Sequence, residues 1–400
     1  MNNIKQMSKF RKILLVISLM ALNIVEQAGG IISGEIPAMS KSFHGISITS
    51  VELIMTVVSI TITIFVLTSG FISEKIGQKQ TAVLGLAIAA IFSIVPAWTE
   101  NFSIVLGSRI ILGIGIGLAN PLAISLIGEF FTGDTLATLM GWRSAIAGIG
   151  VAAMTFLSGQ LLNISWHASY YSYLLFVPVL IMFILFVPQP EKHGLKNEKK
   201  ESTQESKSTK EIDPHARLKV IGYAAILFFY LSLGMIGSVK LALLYVEQGI
   251  GTATQASNAL SLGGLVQLVG GALFGLAYKH FKRAILPVGI VLSGLGIAGI
   301  AFANSSSMVL FLLVISSIVG GMSIPYIFTK VSDYSTTETA PLNNGIVLVG
   351  SNLGSFFAPY IAAIFGSSAQ SAFLGGGVTM TVLGFIITMI FLVGKKQAKK

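Results

Sequence analysis

The sequence predicts an all-α integral membrane protein of twelve transmembrane helices, arranged as two pseudo-symmetric six-helix bundles. Three observations predict it. Of 400 residues, 53% are hydrophobic and only 10% charged, with a mean hydropathy of +0.81, whereas a soluble domain carries about 25% charged residues. Apolar stretches of about 20 residues, the length that crosses about 30 Å of hydrocarbon as a helix, recur from end to end. A polar stretch near the middle separates two halves that share residues at a constant spacing.

The spans fall at about 12–36, 48–70, 80–98, 103–126, 138–162, 168–188, 218–246, 256–277, 284–302, 307–329, 341–364 and 370–394. The first follows Lys5, Lys9, Arg11 and Lys12 like a secretory leader. It is too long for one and is interrupted by Glu26 and Gln27, so it is expected to remain as a span. The basic residues set the orientation. With the N-terminus inside, the cytoplasmic loops hold Lys75, Lys79, Lys279, Lys282, Arg283 and Lys330, and the tail adds Lys395, Lys396, Lys399 and Lys400. The opposite side keeps Lys41 and Lys240, and Glu52 at the start of span 2 reads as a surface charge. Both ends are therefore expected in the cytoplasm of a cell that carries the protein in its plasma membrane.

Residues 189–216 hold six lysines and six acidic residues and too little apolar surface to bury a core, so they read as a flexible cytoplasmic linker. It divides a first bundle, 1–188, from a second, 217–400. The halves look duplicated. At an offset of 204, Val105 meets Val309, Gly117 meets Gly321, Pro121 meets Pro325 and Gly150 meets Gly354. At 205, Gly70 meets Gly275. Internal repeats of this kind mark transporters that rock two bundles about a central site.

Composition also excludes. With no cysteine, disulfides, thiol nucleophiles and Cys-held metals drop out. The net charge of +10 is scattered over short loops and forms no nucleic-acid face. There is no HExxH, no GxSxG and no nucleotide-binding loop, so an enzyme is not expected, no cofactor is implied, and the energy source is an ion gradient.

Within the spans the polar residues stand out. ALNIVEQAGGIISGEIP, residues 21–37, carries Asn23, Glu26, Gln27 and Glu35 in an otherwise apolar run. A carboxylate at membrane depth costs about 2.5–3.5 kcal/mol on the insertion scale, so such residues are generally functional. On a continuous helix Asn23, Gln27, Gly30 and Gly34 share one face with Glu26 beside it near the membrane centre, and Glu35 lies at the outer end within reach of water. A buried carboxyl disfavours its charged form, which makes Glu26 a candidate proton carrier, with Glu35 second.

The loop between spans 2 and 3 reads GFISEKIGQK. Gly70, Glu74, Lys75, Gly77 and Lys79 follow the pattern of Gly, acid, base, Gly and base, with Gln78 where a further base is usual. Span 4 holds Arg109 and Gly113 in LGSRIILGIGIG. On these motifs the chain resembles the major facilitator superfamily, and within it the twelve-span drug:proton antiporters. The resemblance implies the major facilitator fold, a gating role for the loop, proton coupling through Arg109, and a cavity lined by spans 1, 4, 7 and 10. Candidate cavity contacts are Asn23, Gln27, Asn120, Tyr230, Gln267 and Asn352, and an acidic, aromatic cavity suits amphipathic cations. The antiporter motif of span 5 is partly kept. Gly141, Gly148, Gly150 and Gly159 are present, but Met154 and Thr155 replace Gly-Pro, and span 11 has Ala358-Pro359 at the corresponding place. Gly150 and Pro359 join the gating candidates, and Arg143 is expected to pair with Glu129 or Asp134. The expected partners are a small-molecule substrate, protons and the lipid bilayer, with no nucleic acid and a monomeric chain. The expected activity is proton-coupled efflux; the alternative is a proton symporter importing a small nutrient.

Overall fold

The computed structural model describes residues 8–26, 28–190, 216–336 and 339–397, and among them it contains helices and no β-strand. Ten of these helices are long and apolar enough to cross a membrane, eleven if the bent first pair counts as one span. The ten include Ala253–Ile300, which holds two predicted spans, Ala253–Phe281 and Ile285–Ile300, joined by a 3-10 turn at Lys282–Ala284. Each predicted segment thus falls on a helix. Span 1 starts at Lys9, span 2 is Ile48–Ile76, span 3 Gln78–Phe92, span 4 Phe102–Phe130 and span 5 Gly133–Leu161. Span 6 runs from Trp166 through a 3-10 turn to Phe186, span 7 is Ala216–Glu247, span 8 Ala253–Phe281 and span 9 Ile285–Ile300. Spans 10, 11 and 12 are Ser306–Asp333, Ala340–Ile364 and Ala369–Gln397. Most of the polar segment between the bundles, 191–215, lies outside the described residues.

Local chemistry sets several ends. The Asn101 side chain caps span 4 by accepting from the Ser103 and Ile104 amides, and Thr252 with Gln255 forms a reciprocal capping box at span 8. Gly77, at φ 95°, makes the tight turn between spans 2 and 3 that a side chain would strain.

Two compact units emerge: Met1–Ile32 with Val57–Thr209, and Ser33–Thr56 with Lys210–Lys400. Within each, helices meet through glycines, as expected where lipid tails supply no hydrophobic drive and close backbone contact must. In the first unit a Cβ on Gly85 of span 3 would lie 2.6 Å from the Gly115 carbonyl and 3.2 Å from the Cβ of Ala119, both on span 4. In the second unit Gly289 of span 9 faces the Val319 carbonyl and Ser323 of span 10. Those three positions are Gly85, Gly115 and Ala119 displaced by 204 residues (85 + 204 = 289, 115 + 204 = 319, 119 + 204 = 323). Gly150 packs on Ile24 and Gly354 on Phe228, again 204 apart. Gly117 packs on the Ile62 carbonyl and Gly321 on that of Gln267, at offsets of 204 and 205. The duplication read from residue identities is therefore a duplication of contacts.

These crossings leave no room for a side chain. Gly85→Leu and Gly289→Leu are each expected to destabilise by about 1–3 kcal/mol, the usual range for overpacking, seen as a lower thermal midpoint in detergent. Gly107→Leu, where a Cβ meets open space, is the control that leaves the midpoint in place.

Candidate functional site

Span 1 does not continue as one helix. Its α-helix runs Lys9–Glu26, followed by single 3-10 turns at Ala28–Gly30 and Ser33–Glu35 and a short helix at Ile36–Ser42; the two halves meet at 43°. The shared face expected for Asn23, Gln27, Gly30 and Gly34 is thus interrupted. Adjacent Gly29 and Gly30, with Gly34 and Pro37 following, weaken the helix there.

A break frees carbonyls that have no water to turn to. Arg109 of span 4, 0% exposed, answers it. Its Nη2 donates to the Gly29 carbonyl at 2.7 Å and to the Tyr173 hydroxyl at 2.9 Å. The Tyr173 hydroxyl in turn donates to the Ala28 carbonyl at 2.9 Å. The guanidinium carbon lies 5.2 Å from the Tyr173 ring centroid and 5.9 Å from that of Tyr170, within cation–π range. Arg109 therefore does not reach for the outer surface. It holds a positive charge at the break, against Gly29, three residues beyond Glu26. The Glu26 side chain and the whole of Gln27 lie outside the described residues. Gly113, one turn along span 4, lets this helix close on span 2, since a Cβ there would lie 2.9 Å from the Val58 carbonyl.

Asn23 is fully buried, and its Nδ2 donates to the Leu19 and Met20 carbonyls of its own helix. Its Oδ1 accepts no hydrogen bond among the described residues. Of the other cavity candidates, Asn120 is half-buried just before Pro121 in span 4, Gln267 is exposed on span 8 and Asn352 is half-buried on span 11. Tyr230 is buried, its hydroxyl 3.5 Å from Ser293 Oγ of span 9, which places it in the packing of the second unit. Arg143 is half-buried in span 5.

The loop after span 2 binds its own unit. Lys79 Nζ donates to the Ile184 carbonyl of span 6 at 2.8 Å, and Gln78 Oε1 accepts from Ser125 Oγ of span 4 at 2.8 Å. A cation on the carbonyls of a helix C-terminus is favoured by the helix dipole. Gly70, Glu74 and Lys75 are exposed, Gly150 and Pro359 buried.

Two acids expected to meet water do not. Glu35 is 0% exposed in its 3-10 turn, and Glu52, read as a surface charge, is 0% exposed. Its Oε1 lies 2.7 Å from Lys240 Nζ. The surface reading fails because the first turn of span 2 packs within the second unit, against a lysine 188 positions away (240 − 52 = 188).

The Major Facilitator Superfamily family model matches residues 16–248 and 222–400. The chain belongs to this superfamily. Among curated proteins it is 22% identical over 365 residues to the quinolone resistance protein NorA of Staphylococcus aureus (strain MSSA476), covering 89% of this chain and 91% of that one. It is 26% identical over 167 residues to the multidrug efflux protein YfmO of Bacillus subtilis (strain 168), covering 41% and 42%. Among solved structures, a POT family transporter in complex with a thioalcohol-conjugated peptide superposes with a TM-score of 0.75 at 15% identity, covering 96% of each chain. The protein is accordingly a multi-pass membrane transporter and not an enzyme.

Tyr173→Phe removes the hydroxyl that both accepts from Arg109 and donates to Ala28. A cost of about 1–3 kcal/mol is expected from leaving buried polar groups unpaired, read as a fall in the detergent unfolding midpoint. Arg109→Lys is expected to lower it as well, because a single ammonium lacks the planar fork that spreads donors in fixed directions.

Proposed function

We propose that this transporter exports amphipathic, cationic small molecules in exchange for protons by alternating access. The observation that carries the reading is the buried Arg109, which donates to the Gly29 carbonyl at the break of span 1 that follows Glu26. Resemblance to proteins named for quinolone resistance and multidrug efflux supports the direction.

In this reading Glu26 carries the proton. A carboxyl among apolar helices is stable when protonated or when a cation sits against it, and costly when charged and alone. Substrate cation and proton then exclude each other on one group, and exchange follows. Arg109 supplies a fixed positive charge that eases loss of the proton when the site faces the cytoplasm. Asn23, Gln27, Asn120, Gln267 and Asn352 contribute cavity contacts, and Tyr230 acts through the shape of the second unit. Glu35 is a second acid on the path. Gly70, Glu74, Lys75, Gly77, Lys79, Gly150 and Pro359 govern gating. The chain works as a monomer of two six-helix bundles in the plasma membrane, both ends cytoplasmic, driven by the proton gradient with no cofactor.

The test uses purified protein in liposomes with an imposed pH gradient and a fluorescent lipophilic cation. For one proton exchanged per monovalent cation, each pH unit of gradient is worth about 1.4 kcal/mol, or about tenfold in cation accumulation. The native chain should follow that slope, moving cation against the protons, and Glu26→Gln should show no slope. Accumulation on the side that the protons enter would instead identify a symporter. An unchanged slope in Glu26→Gln would move the proton site to another acid.

A further inference from the structure

The duplication of the halves extends to the turn after the second span of each, and there the second copy departs from the first. At an offset of 205 the loop GFISEKIGQK of spans 2 and 3 falls on GLAYKHFKRA between spans 8 and 9. Gly70 meets Gly275, but Glu74 meets Lys279, Gly77 meets Lys282 and Gln78 meets Arg283. Gly77 stands at φ 95° and Lys282 at φ 45°, so both turns hold this position at positive φ. Lys282 is the single non-glycine residue found there among the described residues. Its backbone carries a strain that glycine would not, and outliers of this kind gather at ligand clamps and switch regions.

The two turns also differ in where their polar groups go. The first loop binds inward, through Lys79 on the Ile184 carbonyl and Gln78 on Ser125. In the second, residues 279–284 are all exposed. Among the described residues no carboxylate lies within ion-pair range of Lys279, Lys282 or Arg283, and Asp333 at the end of span 10 is paired with Lys330 at 2.7 Å. The turn therefore gathers three cations and no acid. Next to it span 8 presents an apolar stripe, since Val269, Leu273 and Leu276 are exposed, and so is Phe281 in the turn itself. At helical spacing that stripe runs on to Lys279 and His280, three and four residues past Leu276. An acyl chain laid along the stripe would bring its headgroup to the basic turn.

We propose that the turn between spans 8 and 9 is a docking site for the headgroup of an anionic phospholipid, held by Lys279, Lys282 and Arg283. Charge complementarity selects this occupant. Three cations beside an apolar stripe fit a ligand that is anionic at one end and hydrocarbon at the other, whereas a soluble anion would leave the stripe and Phe281 without a partner. Arg283 offers the phosphate a planar fork and the two lysines offer point charges. Each basic residue beside an anionic lipid surface is worth about fivefold in binding. The strain at Lys282 is then offset by the phosphate that its ammonium meets. The inner leaflet is assigned from the topology proposed above, but the site itself rests on the second unit alone and asks nothing of the transport reading.

Native mass spectrometry of the full chain in detergent, titrated with phosphatidylglycerol and with phosphatidylcholine of the same acyl chains, reads the preference. The native chain should bind phosphatidylglycerol at least about tenfold more tightly. Lys279→Gln/Lys282→Gln/Arg283→Gln should lose that preference. Lys9→Gln/Arg11→Gln/Lys75→Gln, which removes as many charges elsewhere, should keep it. Lys282→Gly separates charge from strain: it should weaken phosphatidylglycerol binding about fivefold and raise the thermal midpoint in lipid-free detergent, because glycine relieves the turn. Equal affinity of the native chain for the two lipids overturns the proposal. So does an equal loss in both triple variants, which would reduce the effect to net charge, and so does Lys282→Gly binding as tightly as the native chain. Displacement of the lipid by millimolar inorganic phosphate would give the turn to a soluble anion instead. Because no transport is measured, the efflux reading can fail while the lipid site stands, and the reverse.

Discussion

A helix that breaks inside hydrocarbon must find donors for the carbonyls it frees, and the first unit is organised around that requirement. Span 1 breaks after Glu26, and the Ala28 and Gly29 carbonyls are met by a tyrosine hydroxyl and a guanidinium. Arg109 could not be buried there without them. A guanidinium holds its proton at any physiological pH and tolerates a dry site only when carbonyls, hydroxyls or rings face it. Arginine and break therefore stabilise each other, and span 6 is recruited through Tyr170 and Tyr173 to complete the arrangement. The same economy explains why span 4 is so rich in glycine: it must approach span 2 at Gly113 and Gly117 and span 3 at Gly115 to bring Arg109 to depth.

The second unit repeats the glycine contacts but not the charge. At the position 204 beyond Arg109 stands Leu313, and span 7 runs unbroken from Ala216 to Glu247 where span 1 bends. Gly117 and Gly321, kept after duplication, both stand where a Cβ would collide with the backbone of a neighbouring helix, and no rotamer change can relieve such a clash. The polar positions were free to diverge, and the asymmetry between the halves is where function is to be sought. One half keeps a fixed cation at a helix break. The other has an unbroken helix whose charge, on Lys240, is matched by Glu52.

Local features were legible in the sequence and distant pairings were not. The spans show as apolar runs because each helix must satisfy the bilayer by itself. Gly77 shows as a turn because its positive φ demands glycine, and the repeat shows because its glycines are fixed by contact. The break of span 1 was written in Gly29, Gly30, Gly34 and Pro37, but helix propensity is a weak prior that packing decides. Tyr173 was hidden in an aromatic-rich stretch, 64 residues from the arginine it accepts from. Glu52 looked like an end-of-helix surface charge and Lys240 like an outer-side charge of span 7, since nothing within a turn of either reveals the other.

The two buried cations differ in one respect that bears on mechanism. Arg109 donates to the Gly29 carbonyl and the Tyr173 hydroxyl, and so meets the dipoles that the break exposes. Lys240 is paired with the buried Glu52 carboxylate. The first stands at the break of span 1 in the first unit, the second in the first turns of span 2, within the second unit. A change at Lys240 or Glu52 then leaves a lone buried charge in the second unit, while a change at Arg109 leaves the carbonyls freed by the break short of a donor.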